Sequence, residues 1–420
     1  MTGRDSEVKS LYLKSKLEHI KLNEFKDIKL EEWFYTYWRY YSHTLNTNIL
    51  VALKYLIRSL IKGTYIFAGN IKSKKILIST SSYAGRNDYI SDQLKVLECM
   101  GDDAVHIEYK DTYVIRKSLL SEILLAFSCI FQMCRNGIAL KDSVFLSSMI
   151  IESNSALVYI KEYLSKNFSV PQIVCVFCDF HAVDYFVIQY FNNLNINTAT
   201  LQHGIYDQKS YYHFMYSKSK YFLAINQYTM EIAADIGFDI EKINVCGPLK
   251  AIGQQEKAIQ TNNNRVIGVC LTGTEDDSTI IDYISKIDNN YSLILRPHPF
   301  SPLADMTSIK YKDIIIDDVK KHSLYDFSML CDFIVTGGNS TVFSDLIGKG
   351  IPAVRIIVKN DAYEKVEELK INKYCDLKDW IDLYYSNPDE IRKKVKENKK
   401  YFMPAEKVDY LYKTFFSQFD

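Results

Sequence analysis

From residue 74 onward, short apolar runs alternate with stretches whose apolar residues recur at helical spacing. KKILIST (74–80) is such a run, and YISDQLKVLECMG after it has helical periodicity and a terminal glycine. AVHIEYK (104–110) reads as a second strand, followed by a mostly helical stretch to about residue 168. IVCVFCDF (173–180), NTATLQHG (197–204), YFLAIN (221–226) and INVCG (243–247) continue the strands, with helices between them. QQEKAIQTNNNR (254–265) is polar, rich in Asn and without periodicity, and reads as a linker. A second series then begins: RVIGVCLTG (265–273), YSLILRPHP (291–299), DIIIDD (313–318), FIVTGG (333–338) and IPAVRII (351–357). Strands alternating with helices imply right-handed crossovers and parallel sheets covered on both faces. The expected fold is therefore α/β, with two doubly wound Rossmann-like domains facing a cleft. The boundaries are a helical, aromatic-rich extension (1–72), an N-terminal domain (73–252), a C-terminal domain (265–400) and a last helix (401–420) able to cross back.

Charge changes this picture little. Lys plus Arg equals Asp plus Glu, 51 each, so no global field favours nucleic acid. The 32 Tyr and 22 Phe are more informative, because an aromatic ring with a polar tip suits sugars, interfaces and membrane surfaces. Nine scattered cysteines and the polar start MTGRDSEVKS lead us to expect a reducing, cytoplasmic setting. Cys175 and Cys178, three apart on a strand, point to opposite faces and read as core. ILVALKYLIRSLIKGTYIFA (49–68) reads as a helix with Lys54, Arg58 and Lys62 on one stripe. Such a helix either lies on anionic lipid or packs as a surface helix, and both readings stand. SEILLAFSCIFQMC (121–134) is apolar but too short to span a bilayer.

In doubly wound sheets, ligands bind beyond the C-terminal ends of the strands. Four such ends carry candidate chemistry. Thr272, Gly273 and Thr274 precede a helix start and the carboxylates Glu275, Asp276 and Asp277. These acids can cap the helix, serve as a general base or hold a sugar hydroxyl. Arg296-Pro-His298-Pro ends the next strand, since proline removes a ladder donor and stiffens the backbone around the imidazole. Arg296 can pair with phosphate or with the acids. Gly337-Gly338-Asn339-Ser340-Thr341 opens a helix and offers backbone amides and hydroxyls to an anion. Asp345 follows one turn later. The spacing is not that of a P-loop. In the first half, Gln202-His203-Gly204 ends a strand towards the cleft, and Arg86 and Asp88 follow another as candidate acceptor contacts. Asp179, His181 and Asp184 do not make a convincing metal set, so no metal and no cofactor are expected.

The set QHG (202–204), Gly247-Pro248, RPHP (296–299) and GGNSTVFSDLIGKGIPAV (337–354) resembles bacterial surface-polysaccharide glycosyltransferases of GT-B fold. That group includes the HP-motif sialyl- and Kdo-transferases and the CDP-glycerol transferases. The resemblance covers about residues 74–400. It implies that His298 contacts the donor phosphate and assists departure of the nucleotide, and that Ser340 and Thr341 bind that phosphate. In the CMP-sialic acid enzymes an acidic pair followed by Gly supplies the base. Asp276-Asp277 sits at a similar interval before His298, but Ser278 stands in place of the Gly. FSPLAD after the HP lacks the Arg usual in the teichoic acid enzymes. The implied partners are a CMP-, UDP- or CDP-linked sugar donor, a glycan or lipid-linked acceptor, and contact with the inner face of the cell membrane. A non-catalytic sugar-nucleotide-binding scaffold, a polyol-phosphate transferase and a sugar-nucleotide epimerase remain alternatives.

Overall fold

A computed structural model describes residues 16–17, 20, 48–69, 74–79, 87–113, 119–166, 170–177, 182–202, 204–206, 217–252, 265–274, 276–288, 290–298, 314–319, 321–359 and 361–420. The first domain opens with α1 (Ile49–Ile61), capped by Asn48, whose side chain accepts from the Val51 amide at 3.0 Å. The helix stops earlier than its apolar pattern predicts. Gly63 and the following Thr and aromatic residues favour an extended chain, and β1 (Lys62–Gly69) begins at once. It pairs antiparallel with β3 (Ala104–Tyr113) at the sheet edge. The remaining strands are parallel: β2 (Lys75–Ser79), β4 (Ile173–Val176), β5 (Asn197–Leu201), β6 (Tyr221–Ala224) and β7 (Ile243–Val245). Their order is β1-β3-β2-β4-β5-β6-β7.

Helices α2 (Asn87–Met100), α3 (Leu119–Arg135), α4 (Leu140–Lys166), α5 (Ala182–Asn193) and α6 (Gln227–Asp235) flank this sheet. By length and composition α4 could cross a membrane, but 72% of its apolar window is buried inside the domain. It is the central helix of the domain's larger core.

The second sheet is entirely parallel, in the order β10-β9-β8-β11-β12-β13. Its strands are β8 (Val266–Cys270), β9 (Ser292–Arg296), β10 (Ile314–Ile316), β11 (Phe333–Gly337), β12 (Ala353–Ile356) and the short β13 (Lys370–Ile371), which the apolar pattern is too brief to announce. β11 is buried throughout, as expected of a central strand covered on both faces. Helices α7 (Asp277–Ile284), α8 (Leu324–Ser328), α9 (Thr341–Gly348), α10 (Tyr374–Ser386) and α11 (Pro388–Phe402) complete this domain.

The last helix, α12 (Val408–Phe416), returns to the first domain. Tyr412, Phe415, Phe416 and Phe419 join a core with Leu77, Val96, Cys99 and Cys175. Lys75 pairs with Asp420 and donates to the Met100 carbonyl at 2.9 Å. The Tyr412 hydroxyl donates to the Gly247 carbonyl at 3.1 Å. Burial pushes the Cys99 thiol up to about 11, so this core holds neutral thiols. Gly247 has φ +94, and a Cβ there would lie 2.5 Å from Val408 Cγ2. Gly247→Ala is therefore expected to destabilise by about 1–2 kcal/mol from the left-handed backbone alone, and more from the contact with α12. A thermal melt followed by circular dichroism checks this.

Candidate active site

Strand register builds the site. Cys270 lies opposite Arg296, so Thr272 comes level with His298 where the two strands leave the sheet. Val335 lies opposite Val269, which sets Gly337 level with Leu271. The three loops then touch. A Cβ on Gly273 would lie 2.9 Å from both Cγ and Nδ1 of His298, so the imidazole rests on bare backbone. Gly273 also holds φ +73, which glycine adopts without strain. A Cβ on Gly337 would lie 2.5 Å from the Thr272 methyl. Here glycine serves close approach rather than an unusual φ. The structure thus brings Thr272–Thr274, His298 and Gly337–Thr341 onto one edge, between the starts of α7 and α9.

Ser340 is the N-cap of α9, and its hydroxyl accepts from the Val342 amide at 3.3 Å. Asn339 and Thr341 are exposed beside it. The Gly338 amide donates to the Ile356 carbonyl at 2.9 Å, so this glycine extends the sheet. The helix start itself directs backbone N–H groups outward and favours an anion.

Several candidates have structural work instead. Both oxygens of Asp277 are occupied: it accepts from the Thr272 amide at 2.7 Å, the Thr272 hydroxyl at 2.8 Å and the Gly273 amide at 2.9 Å. It clamps the loop, and removing a proton from an acceptor would compete with those bonds. Asp276 is buried and its side chain makes no cap bond to α7. Arg296 turns away from the helix starts. It pairs with Asp317, which is buried beyond β10, and donates to the His322 carbonyl at 2.9 Å. That corrects its expected place on the donor phosphate, because a 1%-exposed carboxylate binds it at the sheet edge. Asp345 forms an ion pair at 2.8 Å with Lys250 of the other domain, in place of a ligand hydroxyl.

Gln202 is likewise a scaffold. Its amide donates to the Gly204 carbonyl at 2.6 Å and to the Thr229 hydroxyl at 2.9 Å, and its carbonyl accepts from the Ile225 amide at 3.0 Å. With all these roles taken, Gln202 joins the ends of β5 and β6 and is not open to an acceptor. Gly204 faces open space. Asp88 lies in the first turn of α2. His203, Arg86 and Glu275 lie outside the described residues.

A cavity of about 350 Å³ sits between the domains, lined among others by Asp92, Lys95, Asn226, Lys250, Asp345 and Lys349. His298, Thr272 and Ser340 do not line it. Burial lowers the Lys349 pKa, Asp345 opposes that, and Lys250 and Lys95 add to it. Among the described residues, no group of three or more His, Cys, Asp or Glu could hold a metal.

One residue escaped the sequence reading. Arg355 on β12 is fully buried. It pairs bidentately with Asp361, both bonds 2.8 Å, and donates to the carbonyls of Leu369, Tyr363 and Val366 at 3.0, 2.8 and 2.6 Å. Its guanidinium lies 4.8 Å from the Phe343 ring centre. The loop so held presents Tyr363, whose hydroxyl donates to the Ser340 carbonyl at 2.9 Å and lies 3.1 Å from the Ser344 hydroxyl. Burial raises the Tyr363 pKa, so the donor is retained. The available signal was a cation inside the apolar run IPAVRII with an aspartate six residues on.

No family model and no curated protein matches the sequence. Solved structures do resemble the fold. The glycotransferase of kitacinnamycin superposes with a TM-score of 0.52 at 11% identity, over 83% of this chain and all of its own. Os79 from O. sativa in complex with UDP gives 0.51 at 6% identity, over 82% of this chain and 100% of its own. Os79 with U2F and trichothecene gives 0.50 at 9% identity, over 82% and 100%. The chain has the two-domain GT-B architecture of these proteins.

Arg355→Met should destabilise by about 3–5 kcal/mol, because it strands the Asp361 carboxylate and several carbonyls. Tyr363→Phe, which removes only a hydroxyl, should cost about 0.5–1.5 kcal/mol. Urea denaturation followed by tryptophan fluorescence checks the order of the two.

Proposed function

We propose that this chain is a glycosyltransferase that moves a sugar from a nucleotide-sugar donor to a glycan acceptor in bacterial surface-polysaccharide synthesis. One observation carries the reading. In a GT-B chain, register and close glycine contacts gather His298, Thr272–Thr274 and the start of α9 on one edge. The HP and GGNST motifs of the surface-polysaccharide transferases supply two of those three pieces. UDP in the similar O. sativa structure supports a nucleotide on this fold.

In this reading the donor phosphate meets the amides at the start of α9 and the Ser340 and Thr341 hydroxyls. Charge on the departing phosphate is met by donors already in place, which is a large catalytic term in such sites. The His298 imidazole donates a hydrogen bond to the same oxygens. The acceptor oxygen bonds to the anomeric carbon while the bond to phosphate breaks. The electron pair leaves with the nucleotide, and the acceptor proton passes to a carboxylate. Asp277 is engaged by the loop it clamps, so the base is sought at Asp276 or Glu275. Attack from the opposite face gives inversion. No metal is needed for this scheme, and the donor carries CMP, UDP or CDP. The protein works in the cytoplasm.

The test is a donor screen. CMP-, CDP-, UDP- and GDP-sugars are compared by ligand-induced melting shift, and the stabilising donor is then used in a transfer assay with and without EDTA. One nucleotide class is expected to raise Tm, and transfer should persist in EDTA. His298→Ala should lower transfer by about 10²–10³-fold with Tm unchanged. Binding without transfer to any acceptor would favour a sugar-nucleotide-binding scaffold. Unchanged transfer in His298→Ala would remove the proposed site.

A further inference from the structure

Two helices of the first domain are apolar on the wrong side. On α3, Leu120, Leu124, Phe127 and Phe131 are 72%, 62%, 67% and 67% exposed. Their spacing puts them on one face. The opposite face, with Leu125, Ala126, Cys129 and Met133, is already buried in the domain. The core therefore does not account for the outer stripe. The neighbouring α1 repeats the pattern. It buries only Ala52, Leu56 and Ser59 and exposes Leu50, Leu53, Ile57 and Ile61. Both helices pack on α4 and touch each other, so the two outward faces adjoin. An apolar surface of this kind on a folded chain marks an interaction site.

Charge selects the partner. From Ile49 to Lys62 there is no acidic residue, and from Leu119 to Arg135 the only one is Glu122, which is buried. The exposed charges on these two helices are Lys54, Arg58 and Arg135, all cationic. A protein partner does not by nature require cations alone, but a phosphate-bearing lipid surface does. Leu and Phe side chains enter the acyl boundary while Lys and Arg meet the headgroups. α4 lies beneath, its apolar window mostly buried inside the domain.

We infer that the outer face of α1 and α3 docks on an anionic lipid bilayer. This surface is independent of the proposed transfer activity, and binding is read without donor or acceptor. The test is flotation of the full chain with vesicles of phosphatidylcholine, with or without phosphatidylglycerol. The chain should float with the anionic vesicles and much less with the neutral ones. Phe127→Ser/Phe131→Ser should lower the bound fraction by about tenfold or more at unchanged Tm. Lys54→Glu/Arg58→Glu should weaken binding to anionic vesicles by about tenfold or more and abolish the preference for them.

Failure to float with anionic vesicles would overturn the inference, as would flotation that neither double variant changes. A dimer in sedimentation velocity that the Phe variant dissociates, without vesicle binding, would assign the face to a second copy. Protection of α1 and α3 amides that is lost on deleting residues 1–47, again without vesicle binding, would assign it to the chain's own start.

Discussion

A fully buried guanidinium holds the working edge of the second domain. Arg355 has no access to water, and its partners are one carboxylate and three carbonyls from the loop after its own strand. Burying such a charge is costly unless its hydrogen bonds are made. Here the pairing with Asp361 is bidentate, the arrangement that suits a planar guanidinium. Once that loop is fixed, the Tyr363 hydroxyl is fixed with it, and so is the carbonyl of the residue that caps α9. The same tyrosine ring packs 5.6 Å from Tyr228 of the first domain and 5.4 Å from Phe402. One buried cation therefore sets both the start of α9 and the joint between the domains.

The edge itself depends on what is missing from glycine. At Gly337 the absent Cβ admits the Thr272 methyl, and at Gly273 it admits the His298 ring. The contacts make the three loops one surface rather than three independent turns. Asp277 completes it from below, with a carboxylate accepting from two amides and a hydroxyl of its own loop. A carboxylate used this way is part of the frame. The structure thus makes Asp277 a clamp, a role that composition alone does not assign.

Much of this was legible in the chain. Alternating runs announce both sheets, and RPHPF and GGNST announce two of the three loops, because proline and glycine act locally on the backbone. What was hidden depends on partners distant in sequence. Arg296 looks like a phosphate ligand until Asp317 is known to lie beside it. Asp345 looks free until Lys250 arrives from the other domain. Gln202 looks like a cleft residue until Thr229 and the Ile225 amide claim it. In each case residue type was read correctly as polar and directional, but its partner is set by tertiary packing. The helix 49–68 shows the converse. Its apolar pattern continues through residue 68, yet Gly63 ends it and edge pairing with β3 takes the remainder.

The end of the first sheet and the chain's return from the second domain meet at Gly247. Gly247 lies in the segment leaving the first sheet, and Pro404 and Val408 lie in the segment returning from the second domain. The missing Cβ of Gly247 lets these two segments pack together. Tyr412 then binds the Gly247 carbonyl, which ties the return segment to the outgoing one. Other contacts also join the two domains. The Lys250–Asp345 pair closes one wall of the cavity, and Lys365 reaches Asp235 at 2.8 Å from the other domain. These are partly exposed ion pairs, weak individually and screened by salt. The aromatic contacts of Tyr228 with Tyr363 and Phe402 are buried and do not share that weakness. The interface thus combines a buried aromatic contact with ion pairs that salt weakens. That aromatic contact also ties the interface to the loop that Arg355 holds, since Tyr363 belongs to both.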